Sequence, residues 1–379
     1  MKFSIPVLTS ALAASALVSG APLGRRDGRG AVYFITNEPE GNMVIVANIN
    51  ADGTLGLNRA VSTSGRGSHG LADPVGPDAL FSQGSIKASA TGKILAAVNS
   101  GSNTVSLFSI DSSDPTNINL IGEPVSSEGE FPMSLAINGA GNQVCVLNGG
   151  TVNGVNCFSV DSKLGLVAMP NTLRSLGLNQ TTPATGPAGT TSHIAFSEDG
   201  KQLIASVKGV PPTPGFLAVW DVNTDGTLSA DFQTVTPGSG GLLPFSMTVI
   251  PGKNAILATD AGVGFDIFDF GGQNQSSVVP ITGQGATCWS SFSNQTGNFY
   301  LTDIITSTVT EVNVDDNLKG TIVKQYPKLQ ALQRSTMTSP LSGARTSSTS
   351  WLLTRRPATA AGVTINANNL QGMTSFVKQ

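Results

Sequence analysis

A strand-and-turn text that returns after tens of residues constrains this chain more than any other feature. Asn50–Leu55 (NADGTL) reappears as Asn223–Leu228 (NTDGTL), and each copy follows an apolar strand, Met43–Ile49 (MVIVANI) and Phe216–Val222 (FLAVWDV). The wider unit is a strand opening on small polar residues, a Gly-containing turn, a second apolar strand, a third strand ending near Asp, and a weaker fourth. Five such units can be placed. Their second strands are Ile94–Val98, Val144–Leu147, Leu203–Val207, Ala255–Ala258 and Asn298–Leu301. Their third strands are Thr104–Ile110, Val155–Val160, Phe216–Val222, Gly264–Phe268 and Thr308–Val312. Four short strands per unit, joined by Gly-rich turns and repeating every ~40 to 60 residues, predict the blades of a β-propeller. Composition agrees, because 44 of 379 residues are Gly where roughly 7% is usual.

The two ends supply the closure. Residues 31–62 hold only the later strands of a blade: Val32–Ile35, Met43–Ile49 and a weak strand after Leu55. Met373–Val377 has the small-then-apolar pattern of Met133–Ile137, so it is expected to provide the missing inner strand and pair otherwise open edges. Five complete blades and this composite one leave residues 325–365 to make a seventh. Within them, residues 331–360 lose alternation and gain Ser, Thr and Arg. That stretch reads either as the product of an altered reading frame or splice choice, or as a mobile Ser/Thr insert. The expected fold is therefore all-β: a seven-bladed β-propeller over residues 31–379, closed by its C-terminal strand, with an irregular seventh blade.

Lys2, the apolar run Phe3–Val18 and the small-residue exit at Gly20 predict a secretory signal over residues 1–20. Residues 21–30 then form a propeptide or linker carrying the dibasic pair Arg25–Arg26. In a secreted chain, Asn179, Asn274 and Asn294 are N-glycosylation sequons. The C-terminal tail lacks the apolar segment of a lipid-anchor signal, so the product is expected outside the cell or in its wall, as a monomer. Cys145 and Cys157 flank a Gly/Asn turn, and pairing the strands symmetrically about Thr151 sets them opposite, which predicts a cross-strand disulfide. Cys288 reads as a small buried hydrophobe. The formal net charge is −3 and only 12% of residues are charged, with Lys and Arg scattered, so nothing marks a nucleic-acid or membrane partner. Two distant histidines, with no Cys pair at ligand spacing, provide no metal site.

Further motifs, Leu80–Ser85 (LFSQGS), Ala97–Val105, Gly129–Pro132 (GEFP), Val144–Gly150, Leu178–Pro183 and Phe196–Lys201 (FSEDGK), resemble the secreted fungal proteins called 3-carboxymuconate cyclase-like. These stand within the broader group of lactonase-type seven-bladed propellers. The resemblance covers roughly residues 31–328 and resumes at 362–378. It implies a seven-bladed propeller, and the family name implies lactonisation of a muconate, or the reverse ring opening, without metal or other cofactor. Some secreted relatives are regarded as surface antigens or adhesins, so the resemblance leaves catalysis open.

Propeller ligands commonly sit where the inner strands converge. Counting three residues back from Ala88, Ile137, Phe196, Val249 and Phe292 gives Ser85, Ser134, His193, Ser246 and Trp289; period two adds Gln83 to the same wall. This wall reads as small and neutral. Arg59, Arg66 and Arg174 lie off the inner strands, and Lys93, Lys201 and Lys253 fall at turns, so the clamp expected for a carboxymuconate is absent. His193 reads as a general acid or base, or as a structural histidine whose ring bonds a neighbouring blade's backbone. Gln83, Ser85, Ser134 and Ser246 would orient a ligand, and Trp289 would stack on it. Arg66 and His69 lie in a Gly-rich connection that is either a lid or a flexible loop. Two functions remain open: a secreted binding glycoprotein with weak or no catalysis, whose partner is a small carboxylated molecule or an extracellular glycan or matrix protein, and an extracellular lactonase or cycloisomerase.

Overall fold

The computed structural model describes residues 29–73, 75–272, 276–327, 358–360, 363–366 and 368–378, and their regular structure is all strand. Sheet I contains β1 (Gly30–Ile35), β2 (Met43–Ile49) and β3 (Leu55–Ser62), with the last strand of the chain, β28 (Gln371–Val377), on the free side of β1. Sheet II runs β4 (Ile86–Ser89), β5 (Ile94–Asn99), β6 (Thr104–Ile110) and β7 (Ile118–Leu120), with β8 (Val125–Ser126) also paired to β6. Sheet III runs β9 (Pro132–Ile137), β10 (Gln143–Gly149), β11 (Asn153–Asp161) and β12 (Gly165–Ala168), with β13 (Arg174–Ser175) also on β11. Sheet IV is β14 (Thr191–Phe196), β15 (Gln202–Val207), β16 (Phe216–Asp221) and β17 (Gln233–Val235). Sheet V is β18 (Pro244–Ile250), β19 (Ala255–Asp260), β20 (Gly264–Asp269) and β21 (Ser276–Pro280); sheet VI is β22 (Thr287–Ser293), β23 (Asn298–Asp303), β24 (Thr308–Val314) and β25 (Gly320–Pro327). No described helix is long and apolar enough to cross a membrane.

The second strands are continuous apolar runs because each is covered on both faces. In sheet III, Val144 and Val146 pack toward sheet II while Cys145 and Leu147 pack toward sheet IV. In sheet IV, Leu203 and Ala205 face sheet III and Ile204 faces sheet V. In sheet V, Ile256 and Ala258 face sheet IV, while Ala255 and Leu257 face sheet VI. Burial fades outward: β5 and β10 are buried throughout, whereas β25 is mostly exposed. That gradient accounts for the weak apolar signal of the fourth strands.

The C-terminal strand pairs antiparallel with β1, Gly30 opposite Val377 and Tyr33 opposite Thr374, with a bulge before Ile35. The expected disulfide is present, Cys145 standing opposite Cys157 in the β10–β11 ladder. The blade count differs from the expected seven: the described residues make six four- or five-stranded sheets and a separate two-stranded ladder, β26 (Ala358–Ala360) with β27 (Val363–Ile365). These six are the units whose strands carry the apolar pattern. Most of the expected irregular seventh blade, residues 331–357, lies outside the described residues, as do the signal segment, Arg25–Arg26 and Asn274.

Candidate functional site

An inner strand has one edge paired within its own sheet and one facing the centre, whose N–H groups need acceptors. Side chains of one sheet supply them to the next. Ser134 Oγ of sheet III accepts from Ile194 N of sheet IV at 3.2 Å, and His193 Nδ1 of sheet IV accepts from Met247 N of sheet V at 2.9 Å. Ser246 Oγ of sheet V meets Ser290 Oγ of sheet VI at 2.8 Å, and Thr374 Oγ1 of sheet I accepts from Ala88 N of sheet II at 3.2 Å. Small polar residues therefore recur at these positions for a reason internal to the ring.

The segment leading into β4, residues 78–84, crosses the centre. Ser82 O accepts from Trp289 Nε1 of sheet VI (3.1 Å) and Gln371 Nε2 of sheet I (2.9 Å), and Phe81 O accepts from Lys208 Nζ of sheet IV (2.7 Å). Gln83 O accepts from Ser134 Oγ of sheet III (2.6 Å), Gln83 N donates to Ser192 O of sheet IV (3.0 Å), and Gln83 Oε1 accepts from Ser290 N of sheet VI (3.1 Å). A short segment can reach four other described sheets only from near their common axis, so it forms a plug there. Gly84 is required there: at φ +89° a Cβ would lie 2.9 Å from Lys87 Cε, 2.9 Å from Ser134 Oγ and 3.0 Å from His193 Cδ2.

Two buried charges anchor this plug. Lys208 donates to Phe81 O and, at 2.9 Å, to Thr191 O, and its ammonium lies 4.6 Å from the centre of the Phe245 ring. Asp78 Oδ1 accepts from Ser82 N (3.1 Å) and Gln371 Nε2 (2.9 Å). Burial pushes the Asp78 carboxyl up and the Lys208 amine down, each opposed by the charge of the other. Lys208→Met removes two charge-assisted bonds that nothing else replaces, so it is expected to cost about 3 kcal/mol. Thermal melts check the loss, and faster amide exchange at Phe81–Gln83 places it in the plug.

Below the plug, His193 is buried, and the Met247 N–H occupying Nδ1 puts the proton of the neutral ring on Nε2. Nε2 has no partner among the described residues. Burial first, and then the Lys87 charge, hold the imidazole well below its ordinary pKa, so the ring is neutral. Lys87 is half-buried, and burial brings its amine down to about 8. The wall read as neutral from sequence is therefore cationic at this point. The signal was available, because period two from Ser85 lands on Lys87.

The remaining expected residues divide. Gln83, Ser134, His193 and Trp289 meet around the plug, whereas Ser85 turns against Gly372, its buried Oγ without a partner among the described residues. Ser246 belongs to a hydroxyl chain with Thr259, Ser290 and Thr248. Trp289 is half-buried and sits edge-on to Phe245, with its N–H committed to Ser82 O. Cys288 is buried with its thiol pushed up by burial, so it is an unreactive thiol. The connection carrying Arg66 and His69 is tied down. Both His69 ring nitrogens lie within hydrogen-bond distance of carbonyls, Gly70 O and Gly76 O, and Gly67 N donates to Glu38 O. Arg66 is exposed. Asn179 and Asn294 are exposed as well.

Residues 25–175 match the family model described as lactonase, 7-bladed β-propeller. Among solved structures, a putative 6-phosphogluconolactonase from Bacteroides uniformis is similar at 16% identity and TM-score 0.53, over 79% of this chain and 83% of that one. A protein of unknown function from Desulfotomaculum acetoxidans is similar at 12% identity and TM-score 0.54, over 79% and 80%. These two likenesses concern the fold alone. The periplasmic gluconolactonase of Pseudomonas aeruginosa gives 16% identity and TM-score 0.45; the match covers 60% of this chain and 65% of that protein's length. No curated protein shows significant sequence similarity to the chain.

Proposed function

We propose that this lactonase-like β-propeller is a secreted glycoprotein, outside the cell or in its wall, that binds a small carboxylated molecule in its channel without turning it over. The ring would hold seven blades, as in the matched family. A disulfide suits an oxidising compartment, and exposed Asn179 and Asn294 suit glycosylation. One observation supports reading His193 as a ligand contact and not an acid or base: the Met247 N–H occupies its Nδ1. Nδ1 is thereby closed to protons, and a neutral imidazole offering Nε2–H is far too weak an acid to protonate a leaving group near neutral pH. The ring can donate a hydrogen bond but cannot shuttle a proton.

The match to a lactonase family favours the competing reading, an extracellular lactonase or cycloisomerase with His193 as acid or base. Ultraviolet absorbance of carboxymuconate, and titration of acid released from lactones, separate the two. The expected result is no rate above buffer. Turnover that disappears in His193→Ala would establish the enzyme instead.

A further inference from the structure

We propose that Lys87 and His193 form a carboxylate-binding site within the channel, entered from the end opposite the plug. The inference deepens the binding reading above by assigning the residues and the ligand group.

Two donors, Lys87 Nζ and His193 Nε2, sit on neighbouring side chains, and neither makes a hydrogen bond to another described residue. His193 is 1% exposed and its Nε2 lacks a partner among the described residues. A buried N–H in that state costs roughly 1–3 kcal/mol, which an acceptor in the channel would recover. Lys87 Cε and His193 Cδ2, the carbon bonded to Nε2, both lie within 3.0 Å of the point where a Cβ of Gly84 would be. Both side chains therefore border Gly84, and a side chain at 84 would collide with them. The neighbouring polar groups are already committed: Ser134 Oγ to Gln83 O and Ile194 N, and Ser290 Oγ to Ser246 and Thr248. Among the described residues no acidic side chain contributes to the titration of either Lys87 or His193, so the pair is a positive point there.

Entry follows from exposure. The plug residues Asp78–Ser82 are buried, whereas Lys87, Thr248, Ser291 and Thr374, further along the inner strands, are partly open to solvent. One cation and one neutral N–H, on neighbouring side chains, suit the two oxygens of a carboxylate. A phosphate dianion would leave most of its acceptors unpaired between only two donors.

Acetate and acetamide test this, being alike in size and different in charge. In the intact protein labelled with 15N, acetate is expected to move the His193 Nε2–H and Met247 amide resonances saturably, and acetamide is not. Lys87→Met is expected to weaken acetate about tenfold, or ~1.4 kcal/mol, while leaving the melting temperature within a degree or two. Equal response to acetamide, unchanged affinity in Lys87→Met, tighter binding of inorganic phosphate, or no saturable shift at all would each overturn the site. Lactone turnover in the same samples would overturn the non-catalytic reading and leave the acetate result standing.

Discussion

Deleting Gln371–Val377 is expected to leave no folded monomer at 37 °C. The strand gives β1 its second partner from Gly30 to Ile35, and its loss leaves that row of backbone groups unpaired at the centre of the ring. It also removes Phe376, 6% exposed within the core shared with sheet II, and truncating such a residue costs about 3–5 kcal/mol. Gln371 is lost too, and with it bonds to Leu80 N, Asp78 and Ser82 O that hold the plug. Together these approach the ~5–15 kcal/mol by which a whole domain is stable. Circular dichroism and sedimentation check the outcome, and a peptide spanning 371–378 added in trans is expected to restore part of the folded signal. A truncated chain melting within 2 °C of the full one would show that β28 is dispensable.

Asp266→Asn is expected to raise the melting temperature by roughly 5 °C or more at pH 8 and to have little effect at pH 4. Asp266 is fully buried on β20, where neither carboxyl oxygen accepts a hydrogen bond from a described residue. Burial, then the charge of Asp260, push it to about 9, while Asp260 itself is satisfied by Leu242 N, Leu243 N and Gly262 N. A carboxyl raised in the folded state stabilises fully below its unfolded value near 4, and that stability is lost as pH rises toward 9. By pH 7 to 8 the loss is on the order of a few kcal/mol, and ~2–4 °C accompanies each kcal/mol in domains somewhat smaller than this one. Asparagine keeps the shape and a hydrogen-bond donor but does not ionise. The equivalent positions in sheets II and VI, Ser106 opposite Ala97 and Thr310 opposite Leu301, hold neutral polar residues. Melts from pH 4 to 9 test the slope; parallel curves for the two proteins would show that Asp266 does not titrate across this range.

Much of the fold was legible because its rules are local. Period two and Gly-rich turns place the strands, and symmetry about Thr151 sets Cys145 opposite Cys157. The strand supplied by Met373–Val377 was readable because an unpaired edge at β1 requires a partner, and the pattern of β9 shows what an inner strand looks like. The site was legible only in part. Ser134, His193 and Ser246 share a register position, but that register answers the edge of the next inner strand as well as the channel.

The sequence by itself determined which residues become strands, how they group into sheets and how the last strand meets the first, since hydrophobic period and turn chemistry act over a few residues. Tertiary structure alone decided which polar groups are buried and what they meet. Lys208 reads as an ordinary lysine after an apolar run, yet its ammonium reaches Phe81 O, 127 residues away. Asp78 finds Gln371 across 293 residues, and the Met247 N–H fixes the tautomer of His193 from the neighbouring sheet. Desolvation and hydrogen bonding depend on distance in space, and a ring brings together at its axis groups that no local pattern relates.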